Sequence, residues 1–212
     1  MNDITQVLLS SHISLYADDI KLCKSINTAE DAAALQSDLS AMMTWSEVNR
    51  LPFNVQKCLQ MTFSRKKVNK VHQGYKMNEE TLRVIDEVKD LGIILDERLY
   101  FDTHINEVIR RSKRAMGFVL RNAAAFRGTR TLLRLYNAFI RSQMEYGILI
   151  WNPVLKKYSD GLESIQRRFL KFTYMKIFQY YPSDFRYEEL LAGFKISSWR
   201  FDAEVRNLGI YE

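Results

Sequence analysis

The hydrophobic period of the chain changes near residue 101, and this change limits the folds open to it more than any other feature. Between Leu51 and Phe101 the apolar residues come in short runs with two-residue alternation, as in half-buried strands. Beyond Phe101 they recur every three or four residues over stretches of about 20, as in amphipathic helices. Eight Gly and three Pro in 212 residues are too few to break such helices often, and they exclude collagenous, Pro-rich and low-complexity chains. Apolar residues at 47% against 26% charged supply a hydrophobic core and argue against disorder. The expected class is α+β, with the helices gathered in the second part.

Before residue 101 the pattern resolves into few elements. His12–Tyr16 and Ile20–Cys23 alternate around Ala17-Asp18-Asp19 and predict a hairpin with two acids at its tip. Thr28-Ala29-Glu30-Asp31 fits a capping box, opening a helix whose core stripe is Leu35, Leu39, Met42 and Met43, down to about Asn49. Strand-like runs follow at 58–63, 74–77, 82–85 and 88–95, and the basic run Arg65-Lys66-Lys67 reads as a solvated loop.

After Phe101, with Asp102 or Thr103 as cap, a helix is expected to about Ala125. Ile105, Val108, Ile109, Met116, Val119, Leu120 and Ala123 form one face; Arg110, Lys113, Arg114 and Arg121 form the opposite one. Gly128-Thr129 restarts a helix carrying Leu132, Leu135, Phe139 and Ile140. Trp151-Asn152-Pro153 makes a turn, and a last long helix from about Ser159 carries Leu162, Ile165, Phe169 and Leu170. The expected divisions are 1–101, 102–171 and a helical tail 172–212.

Cys23 and Cys58 lie far apart and His12, His72 and His104 stand singly, so neither a disulfide framework nor a zinc site is expected. No apolar run reaches the roughly 18 residues of a bilayer span, and the N-terminus lacks the pattern of a signal peptide. The expectation is an intracellular protein, nuclear or cytoplasmic, with no membrane partner. Residues 105–171 carry 14 Lys+Arg against 4 Asp+Glu, although the whole chain is only +6. So concentrated a positive charge attracts a polyanion by releasing its counterions, and nucleic acid is the usual one; an anionic membrane or mere solubility are the alternatives.

Adjacent aspartates at a hairpin tip offer oxygens to Mg²⁺, a hard cation that keeps waters and substrate phosphates among its ligands. Surface turns also favour Asp for ordinary reasons. Here the surrounding residues decide. Tyr16-Ala17-Asp18-Asp19 resembles the Tyr/Phe-Ala-Asp-Asp signature of reverse transcriptases, specifically those of jockey-type non-LTR retrotransposons. Trp45-Ser46, Asn49, Leu51, Phe53-Asn54 and Lys57-Cys58 resemble the next motif. Leu91-Gly92-Ile93, Leu95-Asp96, Leu99, Phe101 and His104-Ile105 resemble the one after, and Leu135-Tyr136, Tyr146-Gly147, Trp151 and Ile165-Gln166-Arg167-Arg168 resemble the thumb and the region beyond. The resemblance runs in order from Asn2 to about Lys171.

The resemblance implies a partial palm over 1–101, built of hairpin, helix and short antiparallel strands, then an all-helical thumb over 102–171 and a helical region after it. It makes Asp18 and Asp19 metal-binding catalytic carboxylates and places Tyr16 beside the primer end. Lys57 would stand near the departing pyrophosphate, and Leu91-Gly92 would form the primer-grip turn; an exposed loop lysine and a plain structural glycine are the alternatives. Arg110, Lys113, Arg114 and Arg121 would line the template–primer groove. The implied cofactor is Mg²⁺. The implied partners are an RNA template and DNA primer, or their hybrid, and the missing N-terminal polymerase half.

The family also places another metal-binding aspartate well upstream of the pair. Asp3 does not match it, because Asn2-Asp3-Ile4 resembles the closing residues of the preceding helix. The expectation is therefore the rear portion of an RNA-directed DNA polymerase, inactive alone. The alternatives are a non-catalytic nucleic-acid-binding module and an inert remnant of a mobile element.

Overall fold

The computed structural model describes residues 3–65, 73–180 and 186–199 and divides the chain into two compact units, Met1–Val88 and Lys89–Glu212. Lys66 and Lys67 of the basic run, Asn2, and part of the expected tail lie outside the described residues.

In the first unit a 3-10 turn, Ile4–Val7, leads to the antiparallel hairpin β1 (His12–Tyr16) and β2 (Asp19–Cys23), with Ser14 opposite Lys21 and Tyr16 opposite Asp19. Helix α1 spans Ala29–Asn49. Its start is the capping box read from the sequence: Asp31 N–H donates to Thr28 Oγ1 at 3.2 Å, while Asp31 Oδ2 accepts from Thr28 N–H at 3.0 Å and Asn27 N–H at 2.9 Å. Arg50 ends it in the left-handed region.

One side of α1 buries Met42 and Trp45 against Ile4, with Ile13, Ile20 and Leu22 of the hairpin packed on them. The other side buries Leu39 and Met43 against Tyr75, Met77 and Leu82. Alternation thus gives the hairpin one inner face, which holds it on the helix.

The remaining strands of this unit are short. β3 (Leu59–Gln60) pairs with β6 (Arg83–Val84), and β4 (Lys76–Met77) pairs with β5 (Glu80–Thr81). Only two residues of the expected 58–63 strand are extended and paired, and the β3–β6 pair is parallel where short antiparallel strands were expected. The side chain of Gln60 explains part of this. Its amide donates to Gln73 C=O at 2.7 Å and accepts from Tyr75 N–H at 3.2 Å, so a side chain takes backbone groups that a longer ladder would have used.

The second unit begins within the hairpin of β7 (Glu87–Asp90) and β8 (Ile93–Asp96). The sequence predicts one strand over 88–95. Leu91 and Gly92, with φ of 44° and 87°, instead fold it back through the kind of two-residue loop whose twist suits paired strands.

Helix α2 spans Asp102–Asn122, and its cap position is Phe101, not Asp102 or Thr103. The physical reason is Asp96. Its carboxylate accepts from the N–H groups of Arg98, Tyr100 and Phe101 at 3.0, 3.2 and 2.7 Å, and organises the approach to the helix from outside it. A 3-10 turn at Ala123–Ala125 closes α2. Then α3 (Thr129–Tyr136) runs through a π turn (Asn137–Arg141) into α4 (Ser142–Glu145).

After α5 (Ile148–Trp151) comes the long α6, which starts at Lys156, slightly ahead of expectation, and ends at Phe178; α7 spans Tyr187–Phe194. Leu132, Tyr136, Ile140, Met144, Trp151, Leu162, Ile165, Phe169 and Leu170 are all essentially inaccessible and form one core. Such burial is worth about 2 kcal/mol per side chain. Mixed helices and small sheets agree with the α+β expectation. No helix among the described residues is long and apolar enough to cross a membrane.

Candidate functional site

The acidic tip belongs to the first unit. Ala17 and Asp18 form the loop between β1 and β2, and Ala17 takes a left-handed φ of 53°. Such a φ costs a residue with a β-carbon about 1 kcal/mol. Tyr16, Asp18 and Asp19 are all exposed, Tyr16 at 62%.

Two adjacent carboxylates suit a hard cation that keeps several waters, so their chemistry fits Mg²⁺ as far as it goes. Among the described residues no group of three or more His, Cys, Asp and Glu side chains could hold a metal, so the pair supplies only part of a coordination shell. Lys57 ends the 3-10 turn Val55–Lys57 and is exposed.

What ties the hairpin down lies at its other end, where the chain enters β1. Asp38, on α1, is only 2% exposed; its Oδ1 accepts from Leu9 N–H at 2.9 Å, and its Oδ2 accepts from Ser10 N–H at 3.1 Å and Ser10 Oγ at 2.8 Å. Burial raises its carboxyl, but the nearby Ser11 hydroxyl and these donors outweigh burial and hold it at about 2. The chain entering β1 is thereby tied to α1. Asp3 is likewise occupied within the fold, accepting from Trp45 Nε1 at 3.3 Å. Nothing in the sequence reading singled out Asp38; its signal was an acid on the apolar stripe of an amphipathic helix.

The Leu91-Gly92 loop belongs to the second unit. Leu91 C=O accepts from Tyr146 Oη at 2.7 Å, and a β-carbon on Gly92 would stand 3.3 Å from the Tyr146 ring. Gly147, at φ 66°, leaves room for Ile93, whose Cδ1 would lie 2.7 Å from an added β-carbon. The tyrosine and both glycines therefore seat the loop on α5.

The cations of α2 divide by surroundings. Arg110, Lys113, Arg114 and Arg121 are all exposed on the outward face. Arg110 is paired to Glu107 through two hydrogen bonds of 2.7 and 2.8 Å, and this pairing, through the hydrogen bonds first, lowers the Glu107 carboxyl. Beside them a groove runs between α2 and the π turn, with Arg111 and His104 in its wall. The sequence reading missed both residues as site candidates.

It also read Ile165-Gln166-Arg167-Arg168 only as a family motif. Gln166 is fully buried, accepting from Tyr136 Oη at 2.6 Å and donating to Tyr187 Oη at 3.0 Å and Ser197 C=O at 2.9 Å. Glu163 accepts from Tyr187 Oη and Ser198 Oγ, so α6 holds α7 and the segment after it.

The chain is similar to three polymerases of insect mobile elements. It is 29% identical over 162 residues to the probable RNA-directed DNA polymerase from transposon BS of Drosophila melanogaster. Over 165 residues it is 26% and 28% identical to the RNA-directed DNA polymerases from mobile element jockey of Drosophila melanogaster and Drosophila funebris. Each match takes in 75% of this chain and 18% of the relative, so the chain spans under a fifth of the length of the curated relatives it matches. No family model and no solved structure matches it. The resemblance to jockey-type reverse transcriptases read from the motifs is borne out.

Proposed function

We propose that this chain is a portion of the RNA-directed DNA polymerase of a non-LTR retrotransposon, active in copying only as part of a longer polymerase. The observation that carries the reading is the exposed Tyr16-Ala17-Asp18-Asp19 hairpin tip in a chain similar over three quarters of its length to such polymerases. In this reading residues 1–101 belong to the palm, 102–171 to the thumb and 172–212 to a helical tail. Asp18 and Asp19 are the carboxylates for Mg²⁺. When bound, that ion lowers the barrier of an in-line displacement by stabilising charge on the attacking and leaving oxygens.

The chain's own residues do the rest. Tyr16 abuts the primer end, Lys57 offers a positive charge or proton to the departing pyrophosphate, and the Leu91-Gly92 loop meets the primer strand. Arg110, Lys113, Arg114 and Arg121 contact phosphates of the template–primer hybrid, which positions it without reading its sequence. Two carboxylates alone hold and orient the ion poorly, and phosphoryl transfer depends on positioning, so this chain by itself does not turn over. Its partners are the RNA template, the DNA primer and the remaining polymerase portion, and its place in the cell is the nucleus or cytoplasm.

The test is template-directed extension with Mg²⁺ and nucleotides, run beside hybrid binding at several salt concentrations. No extension is expected. Binding should fall with salt at a log–log slope of about −3 to −4 if four cations meet phosphate, and Arg121→Gln should reduce that slope by about one. Robust synthesis abolished by Asp18→Ala would overturn inactivity of the isolated chain, and salt-independent or absent binding would overturn the cationic-face assignment.

The charge pattern favours a second reading, a nucleic-acid-binding module or remnant in which the aspartates have no present role. Hybrid binding that is indifferent to Mg²⁺ and to Asp18→Ala, with no extension even when the remaining polymerase portion is supplied, would select it.

A further inference from the structure

The groove beside α2 is made of two adjoining cavities that share Arg111 and Gln143. One, of about 360 Å³, is lined by Arg114, Phe118 and Phe139 as well; the other, of about 220 Å³, by His104 and Tyr146. Phe118 and Phe139, which line the larger cavity, are 55% and 49% exposed. Phe139 sits on the π turn, and the sequence period had placed it among the apolar residues of its helix. The wider π turn shifts the phase of the residues it contains and leaves this ring at the groove.

The smaller cavity is lined by two residues whose buried donors make no hydrogen bond among the described residues. His104 is 1% exposed, and its Nδ1 accepts from Ile94 N–H at 3.2 Å. Its proton is therefore on Nε2, a buried atom with no hydrogen-bond partner among the described residues. Burial first, and then the Arg111 charge, lower His104 to about 4, so at neutral pH it is an uncharged donor. Arg111 Nε is likewise buried and without a hydrogen bond, its closest carboxylate contact being Glu107 at 3.6 Å. Unpaired donors of this kind are costly unless an acceptor arrives. A neutral donor beside a charged one calls for an anionic oxygen, and half-exposed rings beside them call for a flat π-face.

We propose that this groove binds one unpaired nucleotide of a single-stranded nucleic acid, with its phosphate at Arg111, Arg114 and His104 Nε2 and its base on Phe118 and Phe139. A base within a duplex has both faces stacked and cannot use these rings, so the site separates single strand from hybrid. The proposal rests on the nucleic-acid reading above and adds a subsite to it.

The full chain is titrated by fluorescence anisotropy with a labelled single-stranded oligonucleotide of about ten nucleotides and, separately, with a blunt hybrid duplex. Phe118→Ala and Phe139→Ala should each weaken single-strand binding about tenfold and leave duplex binding within about twofold. Phe178→Ala, which removes an exposed ring on α6, should change neither. The His104 ring resonances of the unmodified chain should shift when the single strand is added. Single-strand affinity unaltered in both groove variants, equal weakening of single strand and duplex, or unmoved His104 resonances at saturation would each overturn the subsite. Absence of binding to either form would overturn the nucleic-acid reading along with it, whereas duplex binding with an indifferent groove overturns the subsite alone.

Discussion

Replacing Asp38 by asparagine removes a charge that collects hydrogen bonds from Leu9 N–H, Ser10 N–H and Ser10 Oγ while almost fully buried. The sign follows from the direction of the shift. Holding the carboxyl at about 2 instead of the usual 3.8 corresponds to ~2 kcal/mol of stability. That contribution is fully present above about pH 4 and is lost as pH falls through 2. Asparagine keeps the shape but offers one acceptor oxygen and turns an NH₂ toward donors, so the loss at neutral pH should be of the same order. Urea unfolding followed through the amide resonances of Ser10 and Ile13 compares the two proteins residue by residue. A gap of ~2 kcal/mol at pH 6 should close by about pH 2, and carboxylates common to both proteins cancel in the difference. A gap that stays constant down to pH 2, or none at pH 6, would refute the account of Asp38 as the tie beneath the hairpin.

His104, neutral in the fold down to about pH 4, binds its proton in the unfolded chain near 6.5, so the second unit should lose ~3 kcal/mol as pH falls across that interval. An imidazole titration by NMR with a midpoint near 6.5 would contradict this. Gln166→Leu leaves the Tyr136 hydroxyl and the Ser197 carbonyl without their buried partner and should cost about 2–4 kcal/mol; amides of α7 should exchange faster before those of α2 do, and uniform exchange would speak against the network. Gly92→Ala forces a β-carbon into a φ of 87° and toward the Tyr146 ring, and should lower stability by about 1–2 kcal/mol in a denaturant melt; an unchanged midpoint would show that the loop relaxes freely.

Local chemistry made some elements legible in the sequence. The capping box at Thr28–Asp31 names its own partners, and the alternation of His12–Cys23 closes on a two-residue loop. The apolar stripe of α2 runs long enough for its period to be unambiguous. What stayed hidden depended on partners far along the chain. The two-residue strands β3 and β6 carry no period, and their parallel pairing joins residues 24 apart. The break at Leu91-Gly92 lies inside an apolar run that reads as one strand until Tyr146 is known to brace it. The π turn changes the helical phase by an amount no propensity announces, so the exposure of Phe139 is not legible from its spacing. Gln166 and Asp38 share a detectable sign, a polar residue on the buried stripe of an amphipathic helix, where apolar spacing alone had been counted.

These buried polar residues also separate stability from chemistry. Asp38 and Gln166, both buried, fix the entry to the hairpin and α7 on α6, and the half-buried Asp96 fixes the entry to α2, each by collecting donors or acceptors. The residues assigned to metal and phosphate are placed oppositely: Asp18, Asp19, Lys113, Arg114 and Arg121 are exposed and contribute no side chain to a core. Substituting Asp18 with alanine should therefore leave the urea midpoint of the first unit unchanged, since exposed sites away from caps and cores are nearly neutral, while abolishing extension in a reconstituted longer polymerase. Asp38→Asn should do the reverse at first, shifting the midpoint while retaining extension under conditions where the unit stays folded. If Asp18→Ala instead unfolds the hairpin, the acidic pair holds the loop together, and the assignment of the tip to metal loses its physical basis.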